Sequence, residues 1–180
     1  MIPRPRIMVV GGSAASSRVI ERAGFGPWSH MAALLADDTV LDARDDVVGG
    51  TPPGVQLRIA HYLDSQPRWA IFEAPTADHY PAWEAALKSQ LGKPYDERGI
   101  LDFAESVFTG EYVDPNYASA QSKAWFCDVL QAWGAIQSGD IAPVPNWLRL
   151  FAQTPTGALN LFIGAGWQCV ASQGLETLAA

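Results

Sequence analysis

The stretch Trp28-Ser29-His30-Met31-Ala32-Ala33-Leu34-Leu35-Ala36-Asp37-Asp38-Thr39-Val40-Leu41-Asp42-Ala43 reads as two strands and the turn between them. Its apolar runs predict strands at about 30–35 and 39–43, joined around Asp37-Asp38. The length of that turn decides which side chains share a face, because neighbours along a strand point to opposite sides. A two-residue turn sets His30 opposite Asp45 and sends Asp42 to the other side of the sheet. A three-residue turn or a bulge sets Ala32 opposite Asp42. His30 and Asp42 then become diagonal neighbours, about 7–8 Å apart between backbones. Both registers stay open on the sequence.

Upstream, Ile7–Val10 predicts a short buried strand. Gly11-Gly12 breaks it, and Ser13 or Ser16 is a candidate cap for a helix running through Ile20 and Ala23. Downstream, a loop rich in Gly and Pro spans Gly49–Gly54, and strands are predicted at Val55–Leu63 and Trp69–Glu73. Helical spacing covers Thr76–Leu91, with Trp83, Leu87 and Leu91 on one face and Gly92 as the stop. Further helices are predicted at Ile100–Phe108 and at about Trp125–Gln137, separated by a polar loop, Gly110–Ser122. Leu159–Ile163 reads as a last strand, and the tail after Gly174 is expected to fray. No repeat, low-complexity tract or linker divides the chain. It reads as one α+β domain over residues 1–180.

The chain has 180 residues, 17% of them charged, and seven Trp, which suits a real core and argues against disorder. A net charge of −7 disfavours nucleic acid and anionic membrane surfaces as partners. No apolar run reaches membrane-spanning length, and the run at Ile7–Val10 is too short for a signal-peptide core. A cytoplasmic location as synthesised is the expectation, with delivery elsewhere by a dedicated export system or by phage lysis.

Gly11-Gly12-Ser13 resembles a phosphate-binding turn but lacks both GxGxxG and a GKS ending, so a tight strand-to-helix turn is the preferred reading. No HExxH or clustered His/Cys set suggests a metal site, and no cofactor is implied. The two cysteines, Cys127 and Cys169, make no disulfide framework. Of the three histidines, His61 and His79 have no obvious chemical neighbour. His30 opens a strand with acids downstream. Cys127 stands near the start of a helix whose apolar stripe is Phe126, Val129, Leu130 and Trp133. A cysteine on such a stripe is commonly a buried structural thiol. A helix start and a nearby imidazole would instead favour the thiolate, giving Cys127 a depressed pKa and faster alkylation than Cys169.

The ordered set Trp28-Ser29-His30, Val40-Leu41-Asp42-Ala43, Leu91-Gly92-Lys93-Pro94-Tyr95-Asp96, Phe126-Cys127-Asp128-Val129-Leu130 and Thr154-Pro155 resembles the circularly permuted NlpC-type cysteine peptidases. The YiiX-like group is the nearest, and lecithin retinol acyltransferase is a more distant relative. The resemblance implies a circularly permuted papain-like fold with a small antiparallel sheet packed against helices. It implies Cys127 as nucleophile, His30 as general base and Asp42 as the residue that orients it, with Tyr95, Trp28 and Phe126 at the substrate. Asp128 departs from the pattern, which usually has Ser there, and Asp42 stands where relatives carry His or Glu. The activity implied is amide hydrolysis through a thioester, on peptidoglycan stem peptides, in a phage enzyme or an exported toxin with a cognate immunity protein. The alternatives are a lipid acyl hydrolase or acyltransferase, and an inactive binding module of the same fold.

Overall fold

A computed structural model describes residues 3–59, 66–96, 125–144 and 154–175. The expected helix at 100–108, the loop at 110–122 and His61 lie outside these residues. Among the described residues the elements are β1 (Arg6–Gly11), α1 (Ala15–Ala23), β2 (His30–Leu34), β3 (Thr39–Arg44), β4 (Gly54–Ile59), β5 (Arg68–Glu73), α2 (Tyr80–Lys88), α3 (Cys127–Ser138), α4 (Pro155–Gly164) and β6 (Gln168–Gln173). The six strands form one antiparallel sheet in the order β4-β3-β2-β1-β5-β6. The architecture is α+β.

The turn between β2 and β3 has three residues. Leu35 N donates to Thr39 O at 2.8 Å, Asp38 N donates to Leu35 O, and Asp38 takes a left-handed φ of 59°. Aspartate tolerates that conformation better than most residues. Asp37 accepts from both the Thr39 amide and its hydroxyl. The resulting register pairs Ala33 with Leu41 and Leu34 with Val40. One step further, Ala32 falls opposite Asp42, so the odd-loop register holds and the Asp45 alternative is overturned.

That register sorts the sheet into two faces. Ile7, Val9, Met31, Ala33, Leu41, Ala43 and Val55 join the main core with Trp83, Leu87, Leu130 and Phe162 from the helices and Trp125 from just before α3. Met8, Val10, Ala32, Leu34 and Val40 form a second buried cluster. Fully burying one large apolar side chain contributes about 1.5–3 kcal/mol, so Trp83, Trp125 and Phe162 anchor the helical layer. α3 is buried along Cys127–Ala135 and packs on β2, β3, α2 and α4. Gly139, at φ 87°, ends it.

Three local expectations need correction, and one strand was not foreseen. Leu159–Ile163 belongs to a helix, because Thr154 caps its first turn by accepting from Gly157 N and Pro155 opens it. A short apolar run alone cannot tell strand from helix. Leu91 lies beyond α2 and is 38% exposed, so the helical face ends at Leu87. The N-cap of α1 is Ala14 without a side-chain cap, rather than Ser13 or Ser16. The exposed, polar edge strand β6 carries no apolar alternation and escapes sequence reading.

α2 and α3 meet at Gly134, where an added Cβ would lie 2.6 Å from Leu87 Cδ2 and 2.9 Å from its Cγ. Gly134→Ala is therefore expected to destabilise the fold by about 1–3 kcal/mol through overpacking, against its gain in helix propensity. Urea denaturation of the two proteins measures this, and a stabilised variant would show that Leu87 moves aside freely.

Candidate active site

His30 opens β2 and Asp42 lies in β3, on the same face. The His30 Nε2 and Asp42 Oδ2 atoms are 2.9 Å apart. Asp42 is fully buried, and His30 retains 14% side-chain exposure. On β4, Arg58 donates to the other Asp42 oxygen, Oδ1, and to the carbonyls of Pro52 and Gly54. The Arg58 side chain is itself buried. A carboxylate bridged to a guanidinium on one side offers its other oxygen to the imidazole in a fixed direction. Sequence reading missed Arg58. The available signal was an arginine in the middle of a strand, at a position matching the parity of Asp42.

Cys127 is brought in by a separate strap. Val55 N donates to Lys93 O, and Gly92 N donates to Val55 O, tying this segment to the start of β4. Tyr95 then bridges to Trp125, with Trp125 N donating to Pro94 O and Asp96 N to Trp125 O. Trp125 is anchored by its Nε1 on Gln90 Oε1 and by its ring against Trp133. Phe126 is the N-cap and Cys127 the first residue of α3.

The thiol sits where β2 and β3 part. Leu35 N bonding to Thr39 O fixes the odd residues of β2 as those whose N–H groups point toward β3. The recorded ladder ends at Ala33 and Leu41. Two residues further, the Met31 N–H faces the Cys127 sulfur instead. Gln131, one turn into α3, donates to Leu41 O at 3.1 Å and fixes the helix at the same opening. The sulfur thus lies against the residue adjoining His30.

The expected depressed thiol pKa does not hold. Burial pushes the Cys127 thiol well above its ordinary value, and the neighbouring Asp128 carboxylate adds to this, while the Met31 N–H opposes it. Cys127 Sγ donates to Asp128 Oδ1 at 3.6 Å. Burial raises Asp128 to about 7, partly opposed by its own and the Val129 N–H groups. The Tyr95 hydroxyl is pushed well above its usual value by burial and by Cys127, so it stays protonated. Cys169 is exposed on the edge strand. The expectation that Cys127 alkylates faster than Cys169 loses its basis, since a buried neutral thiol is the slower nucleophile.

A cleft of about 700 Å³ reaches His30 between the β1–α1 turn, the start of the β3–β4 loop and Tyr95. Of the residues expected at the substrate, Tyr95 lines it. Trp28 and Phe126 do not line it and are buried in the core, where Phe126 packs edge-on against Tyr95. Gly11-Gly12-Ser13 forms the tight turn, with Gly12 N donating to Ser29 Oγ. His79 is structural, its Nδ1 2.6 Å from Ser138 O.

No family model matches the chain, and no curated protein matches it in sequence. Among solved structures it is similar to the metalloprotein YiiX of Escherichia coli O157:H7, from the DUF1105 group. The TM-score is 0.52 at 16% identity, covering 77% of this chain and 67% of that one. The fold is therefore YiiX-like. Among the described residues here, no three His, Cys, Asp or Glu side chains gather as metal ligands. The His30–Asp42 pair fits a metal poorly, because the Arg58 cation already holds the second Asp42 oxygen. No helix among the described residues is long and apolar enough to cross a membrane.

Arg58→Met leaves the Asp42 charge buried without its guanidinium and is expected to cost about 3–5 kcal/mol. Replacing both, as Asp42→Leu with Arg58→Met, is expected to cost less than Arg58→Met alone. Urea denaturation of the three variants measures the coupling. Asp128 gives a second expectation. Its folded value of about 7 exceeds the ordinary 3.8, so between these values the native state binds more protons than the unfolded chain. Stability should fall as pH rises through that window, by at most about 4 kcal/mol. Asp128→Asn should flatten the decline between pH 5 and pH 8, and an equally steep slope in the variant would refute the burial argument.

Proposed function

We propose that the protein is a cysteine-dependent amide hydrolase of the permuted NlpC type, working through a thioester. The observation that supports this most is the buried Arg58–Asp42–His30 chain ending beside the cleft, with the Cys127 sulfur at the next backbone position of β2. Histidine held by a carboxylate is a tautomer-controlled acid–base group, and a sulfur at a helix start is the companion nucleophile. The Nε2 atom faces Asp42, and in this reading Nδ1 is the nitrogen that works on the substrate. In this reading Cys127 attacks an amide carbonyl, and His30 is its acid–base partner. The first-turn amides of α3 supply oxyanion donors. Tyr95, protonated and lining the cleft, donates to the substrate.

The proposed substrate is an amide within peptidoglycan stem peptides. Such an enzyme would act after export or phage lysis, and an exported form would be paired with an immunity protein. The test incubates the purified protein separately with sacculi and with phospholipid vesicles, followed by mass spectrometry. New termini in muropeptides, absent with Cys127→Ala, are expected. Released fatty acids alongside intact muropeptides would move the chain to lipid acyl chemistry, and no product from either would favour an inactive binding module.

Asp42→Asn should lower turnover by about 100-fold or more, since the imidazole loses its tautomer control. Asp45→Asn, at an exposed position, should change it by no more than a few-fold. Steady-state rates on folded protein, checked by circular dichroism, separate the two. A damaging Asp45→Asn with a mild Asp42→Asn would reverse the assignment.

A further inference from the structure

Asp128 has no part in the His30–Asp42 chemistry, yet it touches the sulfur. Cys127 and Asp128 open α3 together, and both are buried. Asp128 Oδ1 accepts from the thiol at 3.6 Å. Its Oδ2 is buried with no hydrogen-bond partner among the described residues. A carboxylate at a helix start normally favours solvent, and an orphaned buried oxygen is costly. An arrangement that keeps such an oxygen beside a nucleophile leaves it open for a proton.

Resting on the thioester reading, we infer that Asp128 is a second acid–base group of the same centre and the first acceptor of the Cys127 thiol proton. The Asp128 carboxylate takes that proton as the C–S bond forms. As a carboxylic acid, it returns the proton to the leaving nitrogen as the C–N bond breaks. His30, oriented by Asp42, then takes a proton from the water that attacks the thioester and delivers it to the departing sulfur. Amide plus water becomes acid plus amine, and both side chains end as they began. No redox partner is needed.

The division of labour follows from placement. The thiol proton already points at Asp128, while His30 faces the open cleft through which water arrives. Tyr95 on the strap is the titratable group that faces both Cys127 and Asp128, and Asp45 and Arg44 at the end of β3 act on Tyr95 in turn. Burial sets Asp128 at about 7, close to the value at which a general base works best near neutral pH.

The experiment compares wild type and Asp128→Asn in two reactions of the same sulfur. Iodoacetamide alkylation reports how readily the thiolate forms. The burst of p-nitrophenolate from p-nitrophenyl acetate reports acylation. Removing the carboxylate eases ionisation, so the variant should alkylate at least as fast as wild type below pH 8. It should nevertheless acylate about 100-fold more slowly, the usual contribution of a positioned base. Asp128→Ser, which also removes the buried charge, should repeat the pattern. A variant that alkylates and acylates faster would show that the carboxylate only suppresses the thiolate, and would overturn the assignment. A wild-type protein that alkylates at Cys127 but gives no Cys127-dependent burst would overturn the thioester reading and this assignment together. A wild-type burst matched by both variants would overturn the Asp128 assignment alone.

Discussion

The three-residue turn Ala36-Asp37-Asp38 sets the parity on which the site depends. With Asp38 in the left-handed region, β3 returns with Leu41 and Ala43 in the main core and Asp42 on the face of His30. A turn shorter by one residue would turn the Asp42 carboxylate into the main core and take Leu41 out of it. The hydrophobic pattern resists that slip, because it would turn every side chain of the strand. Turn chemistry and core burial therefore choose the same register, and the His30–Asp42 contact is a by-product of that agreement.

The same register determines where the helix can enter. β2 and β3 stay paired at Ala33 and Leu34, near the turn, and part toward His30. The first turn of α3 fills the opening, its Gln131 amide on Leu41 O and its Cys127 sulfur at the Met31 N–H. The body of α3 packs on the helical side of the sheet, while His30 projects from the other side. The proposed reaction therefore asks residues assigned by alternation to opposite faces to work together at the parted ladder.

Much of this was legible in the sequence, and the failures have physical causes. The strands around His30 and Asp42 and the helix at Cys127 announce themselves by apolar patterning. The register did not, since Asp37-Asp38 suits a two- or a three-residue turn until tertiary burial decides. Leu159–Ile163 misled because consecutive apolar residues fit a buried helix as well as a strand, although Thr154-Pro155 already supplied a helix start. β6 was silent because a solvent-facing edge strand has no apolar face to reveal it. Arg58 and the true setting of Cys127 depend on burial, which one-dimensional spacing does not report. Motif logic places a thiol at a helix start and expects a thiolate, while the Asp128 carboxylate and the loss of water reverse the sign.

The buried charges argue that this corner was shaped for something other than stability. An ion pair as deeply enclosed as Asp42–Arg58 is a weak source of folding energy, because desolvation offsets most of its attraction. Apolar residues in the same space would serve the fold at least as well. What the pair provides is direction. Arg58 is tied to the β3–β4 loop carbonyls, Asp42 is tied to Arg58, and His30 is tied to Asp42, so the imidazole holds one orientation at the cleft. Asp128 repeats the pattern on the helix side, a carboxyl kept from water at a cost and left beside a sulfur. Two costly polar groups, one reached from each face of the parted strands, converge on the stretch of β2 that begins at His30. The proposed acyl chemistry, which must move one proton from sulfur and another from water, would use both.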